Sequence, residues 1–411
     1  MIYLIDASPT RCMSPGMKPG VSRTRKLPVP IPVQAALCLL IASLCLFPSF
    51  CLRLEPSAFD TSQDPAVLLG SVLISLSGTS APNLTTGSGP CCALVNSAAN
   101  LLYILNSGSN TVTFYNATTV SYINGTLAAS SFTTGTNPSG MAVDPTANLL
   151  YVVNSGSNTV TFFNATTGAY ANGSLAASSF ATFNSPIGVA VNPAANLLYV
   201  VTYGSNRVTF YNATTGAPVN GTVAASSFTT GSSPTAVVLN AAANVIYVAN
   251  SFSSTVTFFN ATTGAYTNGT LGASSFTTGS NPWYVELNTT ANLLYVPNTS
   301  GTVTFFNATT GAYMNGTLGA SSFATGAYPY KMAVNPGSNL IYVTNYNAST
   351  ITFLNATTGA YMNGTLANSS FATGAQPIGI AVNPTANLLY VPNNAASTLS
   401  VFNATTGAGA F

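Results

Sequence analysis

The chain has 411 residues, of which 47% are hydrophobic, 10% aromatic and only 3% charged, and it contains no histidine. From position 66 onward the only charges are Asp144, Arg207, Glu286 and Lys331, two of each sign. That balance excludes the basic stripe needed to hold a phosphate backbone, and with it nucleic acid as a partner, while leaving ample apolar surface for a large core.

Residues 1–60 read as a leader. Arg11, Lys18, Arg23, Arg25 and Lys26 precede the apolar run from Ala35 to Phe47, which is the charge-then-apolar order of an export signal. Met17, followed by Lys18, offers a second start. No small-x-small cleavage pattern follows the run, and the uncharged stretch between Lys26 and Arg53 is long enough to cross a bilayer. A cleaved signal, an uncleaved anchor and a buried core segment are the three readings. The first two predict export to the periplasm, the cell surface or the exterior, with membrane contact only through this segment. Cys12, Cys38, Cys45 and Cys51 belong to the leader, and residues 61–77 read as a linker.

Residues 78–411 repeat. Tyr103, Tyr151, Tyr199, Tyr247, Tyr295, Tyr342 and Tyr390 recur every 48 residues, with one step of 47. A unit of that size cannot bury its apolar faces alone, so neighbouring copies must cover one another. In the second copy, Ser139 to Asp144 reads as the innermost strand, Leu149 to Asn154 as the next and Thr159 to Phe163 as the third. The third alternates hydroxyl and apolar side chains, the period-2 signature of a strand. Asn164 to Gly168 is a turn, in which the Asn side chain bonds its own backbone and Gly supplies a positive φ. Asn172-Gly173 bends the chain again before an outer strand expected over Leu175 to Thr182.

Four such strands make a blade, and the predicted fold is all-β: a seven-bladed β-propeller of four-stranded antiparallel blades. Each blade is sandwiched between two others, so Phe162 is expected between blades. The last copy supplies only three strands, near Ile378 to Asn383, Leu388 to Asn393 and Thr398 to Asn403. Leu84 to Gly87 aligns with Phe132 to Gly135, so the stretch from Gly78 to Thr86 is expected to complete the C-terminal blade and close the ring.

Cys91 and Cys92 take the places of Ser139 and Gly140 in the next copy. Three readings are open for them: buried small side chains, a strained bond between neighbours, or part of a metal site. Sequons recur at Asn116, Asn164, Asn212 and their equivalents, either as glycan acceptors in a eukaryotic secretory route or as duplicated turn chemistry.

Tyr342-Val343-Thr344-Asn345, with the variants Tyr151 to Asn154 and Tyr247 to Asn250 and the turns Asn335-Pro336 and Asn355 to Gly359, resembles the YVTN family of β-propeller repeats. The likeness covers residues 78–411. It implies a propeller, and relatives that include surface-layer-associated and secreted binding proteins; more distant seven-bladed propellers include lactonases and quinoprotein dehydrogenases. The chain departs from the family in its scarcity of charge, with Asn in turns where aspartate is usual.

Acid–base and nucleophilic catalysis need a positioned group of suitable pKa. The repeats offer two carboxylates, Asp144 and Glu286, three blades apart, too few for a lactonase-like metal cluster. The expectation is no catalytic residues, no metal and no cofactor; a lactonase-like hydrolase is the alternative. Departures from the repeat are the remaining clue. Trp283, Tyr284 and Glu286 replace small residues on the fifth innermost strand, and Tyr328, Tyr330 and Lys331 do so at the sixth. Glu286 and Lys331 are expected to pair across the blade interface. The six residues are either a ligand patch for a surface glycan or protein, or a self-satisfied pair with aromatics plugging the channel. Arg207 with Tyr203 reads as a solvated turn. Low charge further predicts stability nearly independent of pH and a tendency to self-associate or pack in a surface layer.

Overall fold

The computed structural model describes residues 83–410; the leader, the linker and the stretch 78–82 lie outside the described residues. Among the described residues, seven four-stranded antiparallel sheets account for all the strands, each sheet being one blade. Blade 1 runs through Pro90–Asn96, Leu101–Asn106, Thr111–Asn116 and Ser131–Thr133. Blades 2 to 6 repeat this order, and their innermost strands are Pro138–Asp144, Pro186–Asn192, Pro234–Asn240, Glu286–Asn288 and Pro329–Asn335. Blade 7 is made of Ala381–Asn383, Leu388–Asn393 and Thr398–Asn403, with Asn83–Thr85 as its outer strand.

The ring therefore closes as the repeat offset required. Leu84 lies opposite Leu399, and Thr86 N–H donates to the Ser397 carbonyl at 3.1 Å. The first and last of the described strands share one sheet, so the ring closes without a gap between blades.

Seven buried clusters hold the ring together, and each spans two adjacent blades. One cluster unites Tyr151, Val160 and Phe162 of blade 2 with Leu198, Val200 and Tyr211 of blade 3. Phe162 is 3% exposed and meets Tyr151 edge-on at 4.9 Å. Both faces of a blade are buried, which explains why Thr161 and its equivalents stand where a surface sheet would carry Lys or Glu. These threonines satisfy themselves inside the blade, as Thr161 does with Ser179 at 2.9 Å.

The turns follow the local chemistry expected. Asn164 Oδ1 accepts from Thr166 N–H at 3.0 Å and Thr167 N–H at 2.9 Å. Gly168 sits at φ +75°, where a Cβ would come within 2.2 Å of the Phe132 ring of the preceding blade. Only glycine meets both demands. The sequon asparagines are thus committed, through their side-chain oxygens, to the turns.

One expectation is corrected. The outer strand of blade 2 spans only Ser179–Ala181. Residues just before it are held in a tight turn by Ser178 N–H to Ser174 O at 3.0 Å and by the Asn172 side chain, whose Nδ2 donates to Ala177 O at 3.0 Å. A chain bonded back on itself this way has no backbone groups free for a ladder.

Candidate functional site

The site is built where the repeat is broken. Cys92, Gly140, Gly188, Ala236, Tyr284, Lys331 and Gly379 occupy one position on the seven innermost strands. Neighbouring strands approach closely there. A Cβ on Gly140 would lie 2.5 Å from the Ile187 carbonyl oxygen, and one on Gly379 would lie 2.9 Å from Cys92 Cα. Large side chains fit at this position only if the strand is let out of its ladder, and blades 5 and 6 do this in different ways.

In blade 5, Pro297 replaces the residue that elsewhere donates its N–H to the innermost strand. Proline has none to give, so regular pairing starts only at Glu286, opposite Tyr295. Trp283, Tyr284 and Val285 are freed from the ladder, and Trp283 keeps a single bond to the Pro297 carbonyl at 3.3 Å. Pro392 has the same effect in blade 7, whose innermost strand begins at Ala381 rather than Ile378. In blade 6 the ladder jumps from Pro329 opposite Asn345 to Met332 opposite Val343. Tyr330 and Lys331 stand in this enlarged bulge. The Thr344 hydroxyl supplies the missing pairing, accepting from Lys331 N–H at 3.0 Å and donating to Lys331 O at 3.1 Å. A bulge bends its strand and re-aims the side chains on it.

That re-aiming overturns the expected Glu286–Lys331 ion pair. Lys331 Nζ lies 2.7 Å from Cys92 Sγ and 3.4 Å from the Cys91 carbonyl oxygen, having reached past blade 7 to blade 1. The same Nζ lies 5.8 Å from the centre of the Tyr284 ring. Burial disfavours the Lys331 charge, but the adjoining Cys92 and Cys91 sulfurs and Tyr284 outweigh it and push its pKa up to about 12. A hydrogen bond from the Cys91 thiol, together with the charge and hydrogen bond of Lys331, holds Cys92 down at about 6 against the cost of burial. Cys91, which supplies that bond, is pushed up. Both cysteines are buried and unbridged, as the buried-pair reading expects and the strained-bond reading does not; what that reading did not foresee is the contact of Cys92 with Lys331.

Glu286, left without the lysine, has its pKa raised by burial to about 8, although a backbone hydrogen bond from Leu287 opposes the rise. The other propeller carboxylate, Asp144, is used by its own turn, accepting from Thr146 N–H at 2.9 Å and Ala147 N–H at 3.0 Å. The two acids do not meet. Among the described residues, no three His, Cys, Asp or Glu side chains gather where they could hold a metal ion.

The aromatic departures come together at one mouth of the channel. Trp283 lies 5.3 Å from Tyr330, ring centre to ring centre, and Tyr330 stacks on Tyr328 at 6.5 Å. Tyr346 completes the group, 5.8 Å from Tyr328 and 5.9 Å from Tyr330. Tyr328 sits at φ +60°, in the place where Gly89 and Asn137 adopt the same left-handed backbone. A bulky residue is rarely held there without a reason. Trp283 also borders an open cavity of about 250 Å³, together with Asn137, Ser155, Ser185, Ile187 and Tyr203, none of them charged. The Trp283 Nε1–H is buried and has no hydrogen-bond partner.

Three further residues belong to this face: Tyr203, read from the sequence as part of a solvated turn, and two that the sequence reading of the site passed over, Phe252 and Tyr346. Tyr203, Phe252 and Tyr346 stand in the hairpin between the second and third strands, where blades 1 and 2 carry serine in place of Tyr203 and Tyr346 and glycine in place of Phe252. Phe252 is 79% exposed and Tyr203 40%. The same comparison between copies that singled out Trp283 would have found Phe252 and Tyr346. Arg207, expected in a solvated turn, lies 5.7 Å over the ring of Phe183, which replaces the glycine found at that place in the other blades.

No protein-family model matches the chain, and no curated protein matches it. Among solved structures it is similar to the hydrazine synthase of Kuenenia stuttgartiensis, with a TM-score of 0.63 and 17% identity over 80% of this chain and 99% of that one. A likeness at that identity is one of fold. The chain is a seven-bladed β-propeller built from repeats.

Proposed function

We infer that this protein is an exported, non-catalytic propeller of the YVTN type that binds a surface glycan through one face of the ring. The observation that carries the reading is the aromatic arc over blades 3 to 6: Tyr203, Phe252, Trp283, Tyr328, Tyr330 and Tyr346. These bulky rings replace serine, glycine or other smaller residues, and two of them, Tyr203 and Trp283, border an uncharged cavity lined also by Asn137, Ser155 and Ser185. Flat aromatic faces stack on the apolar faces of sugar rings, while short hydroxyl and amide side chains bond sugar hydroxyls. The unpartnered Trp283 Nε1–H is a donor ready for such a ligand. Exposed aromatic surface of this kind on a soluble ring otherwise carries a cost in solubility. The apolar leader segment supports export, and the four-residue YVTN pattern with its flanking turns supports the family.

A screen of the purified protein against neutral glycans and cell-wall polymers tests the reading. Retention on at least one polymer is expected, weakened about tenfold or more by Trp283→Ala or by Tyr346→Ala, the loss of roughly one stacking interaction. Binding that survives both changes, or none to any glycan, defeats it; retention on protein partners alone would move the function to protein recognition.

A further inference from the structure

The contact between Lys331 and Cys92 is unused by the binding face, and its geometry has a consequence of its own. Lys331 Nζ and Cys92 Sγ lie 2.7 Å apart, between blades 6 and 1, and are 239 residues apart in sequence. Blade 7, in which the ends of the propeller meet, lies between those two blades. Nothing in the fold requires the contact: every other blade fills the position with Gly, Ala or Tyr. Both partners are departures from the repeat, and they face each other. Cys92 is 4% exposed and its sulfur lies 3.3 Å from the Ser139 carbonyl oxygen, while Lys331 is fixed at its backbone by Thr344.

We propose that Cys92 and Lys331 form a covalent N–O–S bridge when the protein meets hydrogen peroxide, locking together the two blades that flank the ring closure. The separation is short enough for a single oxygen atom to join nitrogen and sulfur without moving either backbone. The chemistry balances with peroxide as the sole oxidant. The Cys92 thiolate attacks one peroxide oxygen, the O–O bond breaks, and the products are the sulfenic acid and hydroxide. That hydroxide takes a proton from the Lys331 ammonium, leaving a neutral amine beside the sulfenic acid. A second peroxide oxidises the amine to its hydroxylamine, releasing water. Condensation of the hydroxylamine with the sulfenic acid forms the S–O–N link and expels another water. In sum, one thiol, one amine and two peroxides give one bridge and three waters; sulfur and nitrogen each give up two electrons, which the two peroxides accept. The acidity of Cys92 favours the first step, since the thiolate is the form that reacts. Cys91, whose thiol is pushed up in pKa, is the poorer nucleophile of the pair.

Intact-mass measurement and peptide mapping of the full-length protein, after mild peroxide and after subsequent reduction with a phosphine, test the proposal. Expected is a species heavier by one oxygen and lighter by two hydrogens, with the peptides that contain Cys92 and Lys331 joined, reverting on reduction. The bridged protein is expected to melt several degrees higher than the reduced form. Cys91→Ser should keep the bridge, and Lys331→Met and Cys92→Ser should each lose it. Lys331→Met is a conservative change in length, so its fold can be checked by an unchanged circular-dichroism spectrum; Lys331→Arg is the second variant, one that keeps the charge and cannot form the link. Loss of two hydrogens with no oxygen gained, dependent on Cys91, would mean a bond between the neighbouring cysteines and would overturn the proposal. So would a stable sulfenic acid alone, a bridge mass that persists in Lys331→Met, or no change in mass.

Discussion

The phenolic hydroxyl of Tyr103 in blade 1 donates to the carbonyl oxygen of Ala165 in blade 2, at 2.7 Å in the buried interface. The repeat tyrosine is therefore a pin between blades. Tyr199, Tyr247, Tyr295 and Tyr342 make the same bond to Ala261, Ala308, Ala356 and Ala404, and Tyr390 carries it across the ring closure to Ala117. Behind the hydroxyl an asparagine completes the relay, as where Asn96 Nδ2 donates to the Tyr103 oxygen at 3.2 Å. Blade 2 alone departs from this: Asp144 replaces the asparagine, and the Tyr151 hydroxyl is buried without a partner.

Removing one pin leaves a buried carbonyl oxygen and an asparagine amide short of partners. Leaving such groups unsatisfied costs about 1–3 kcal/mol. Tyr247→Phe is therefore expected to lower the urea unfolding free energy by that amount with no change in ligand binding. A neutral result would show that the bond is not what holds the blades together.

The exception makes the opposite prediction. Asp144→Asn would supply the missing N–H donor and keep the turn, because Asn96 Oδ1 caps the equivalent turn at Ala99 N–H, 3.3 Å away. It would also remove a carboxylate whose charge disfavours ionisation of the Tyr151 phenol. A gain of roughly 0.5–1.5 kcal/mol is expected from one satisfied hydrogen bond, read as a higher urea midpoint at an unchanged slope. A lower midpoint would refute this account of Tyr151.

Phe162 stands in the interface of blades 2 and 3, edge-on to Tyr151 at 4.9 Å and to Phe180 at 5.4 Å. Phe162→Ala opens a cavity that neither rigid sheet can collapse into, so about 3–5 kcal/mol should be lost. Phe252→Ala, made at a ring that is 79% exposed, is the control and should leave stability within about 0.5 kcal/mol. Equal losses from the two would show that burial does not rank these sites.

The blade count, the closure and the second and third strands were legible because a period of 48 residues repeats the same turn chemistry and the same period-2 pattern. The boundaries Leu149–Asn154 and Leu388–Asn393 are those read from the sequence. What escaped lies where backbone hydrogen bonding overrides pattern. Leu175 to Ser178 look like a strand in composition, but side-chain and backbone bonds fold them into a turn. Lys331 could be placed on its strand, yet its direction depends on a bulge stabilised by Thr344, a residue thirteen positions away. The effect of Pro297 on Trp283 and Tyr284 is similarly non-local. It was legible in principle, since a proline in a central strand withdraws a ladder donor.

Closure rests on three residues of strand. Asn83, Leu84 and Thr85 pair with Ser400, Leu399 and Thr398, and the Thr85 carbonyl also accepts from the Tyr122 hydroxyl at 2.8 Å. Deleting the chain up to Thr86 would leave Thr398–Asn403 as an unpaired edge of β-branched and apolar residues, a template for a second copy. Size-exclusion chromatography should then show species larger than those of the full chain under the same conditions. A monodisperse truncated monomer of unchanged stability would mean that the closing strand is dispensable.

The scarcity of charge led to an expectation of stability almost flat with pH, and the site changes that expectation. Glu286 titrates near 8 in the folded ring against an ordinary 4.5. Its folded form keeps a proton that the unfolded chain gives up, so no cost exists below about 4.5. The cost grows as pH rises and is complete above about 8. Cys92 works the other way. Its pKa falls from an ordinary 9.0 to about 6, so the unfolded chain holds the proton longer, and stability is gained as pH rises through that window. The two slopes oppose each other between about 6 and 8, and the uncompensated loss from Glu286 falls between about 4.5 and 6. The thermal midpoint should therefore be highest in acid, drop to near pH 6, change little to pH 8 and recover toward pH 9. Glu286→Gln is expected to abolish the acid-side drop and to stabilise the neutral protein by a few kcal/mol at most, given partial access of the carboxylate to solvent. Lys331→Met should weaken the recovery above pH 8 and leave the drop in place. A midpoint that rises from pH 4.5 to 6, or a drop that survives Glu286→Gln, would mean that the buried carboxylate does not govern the acid limb.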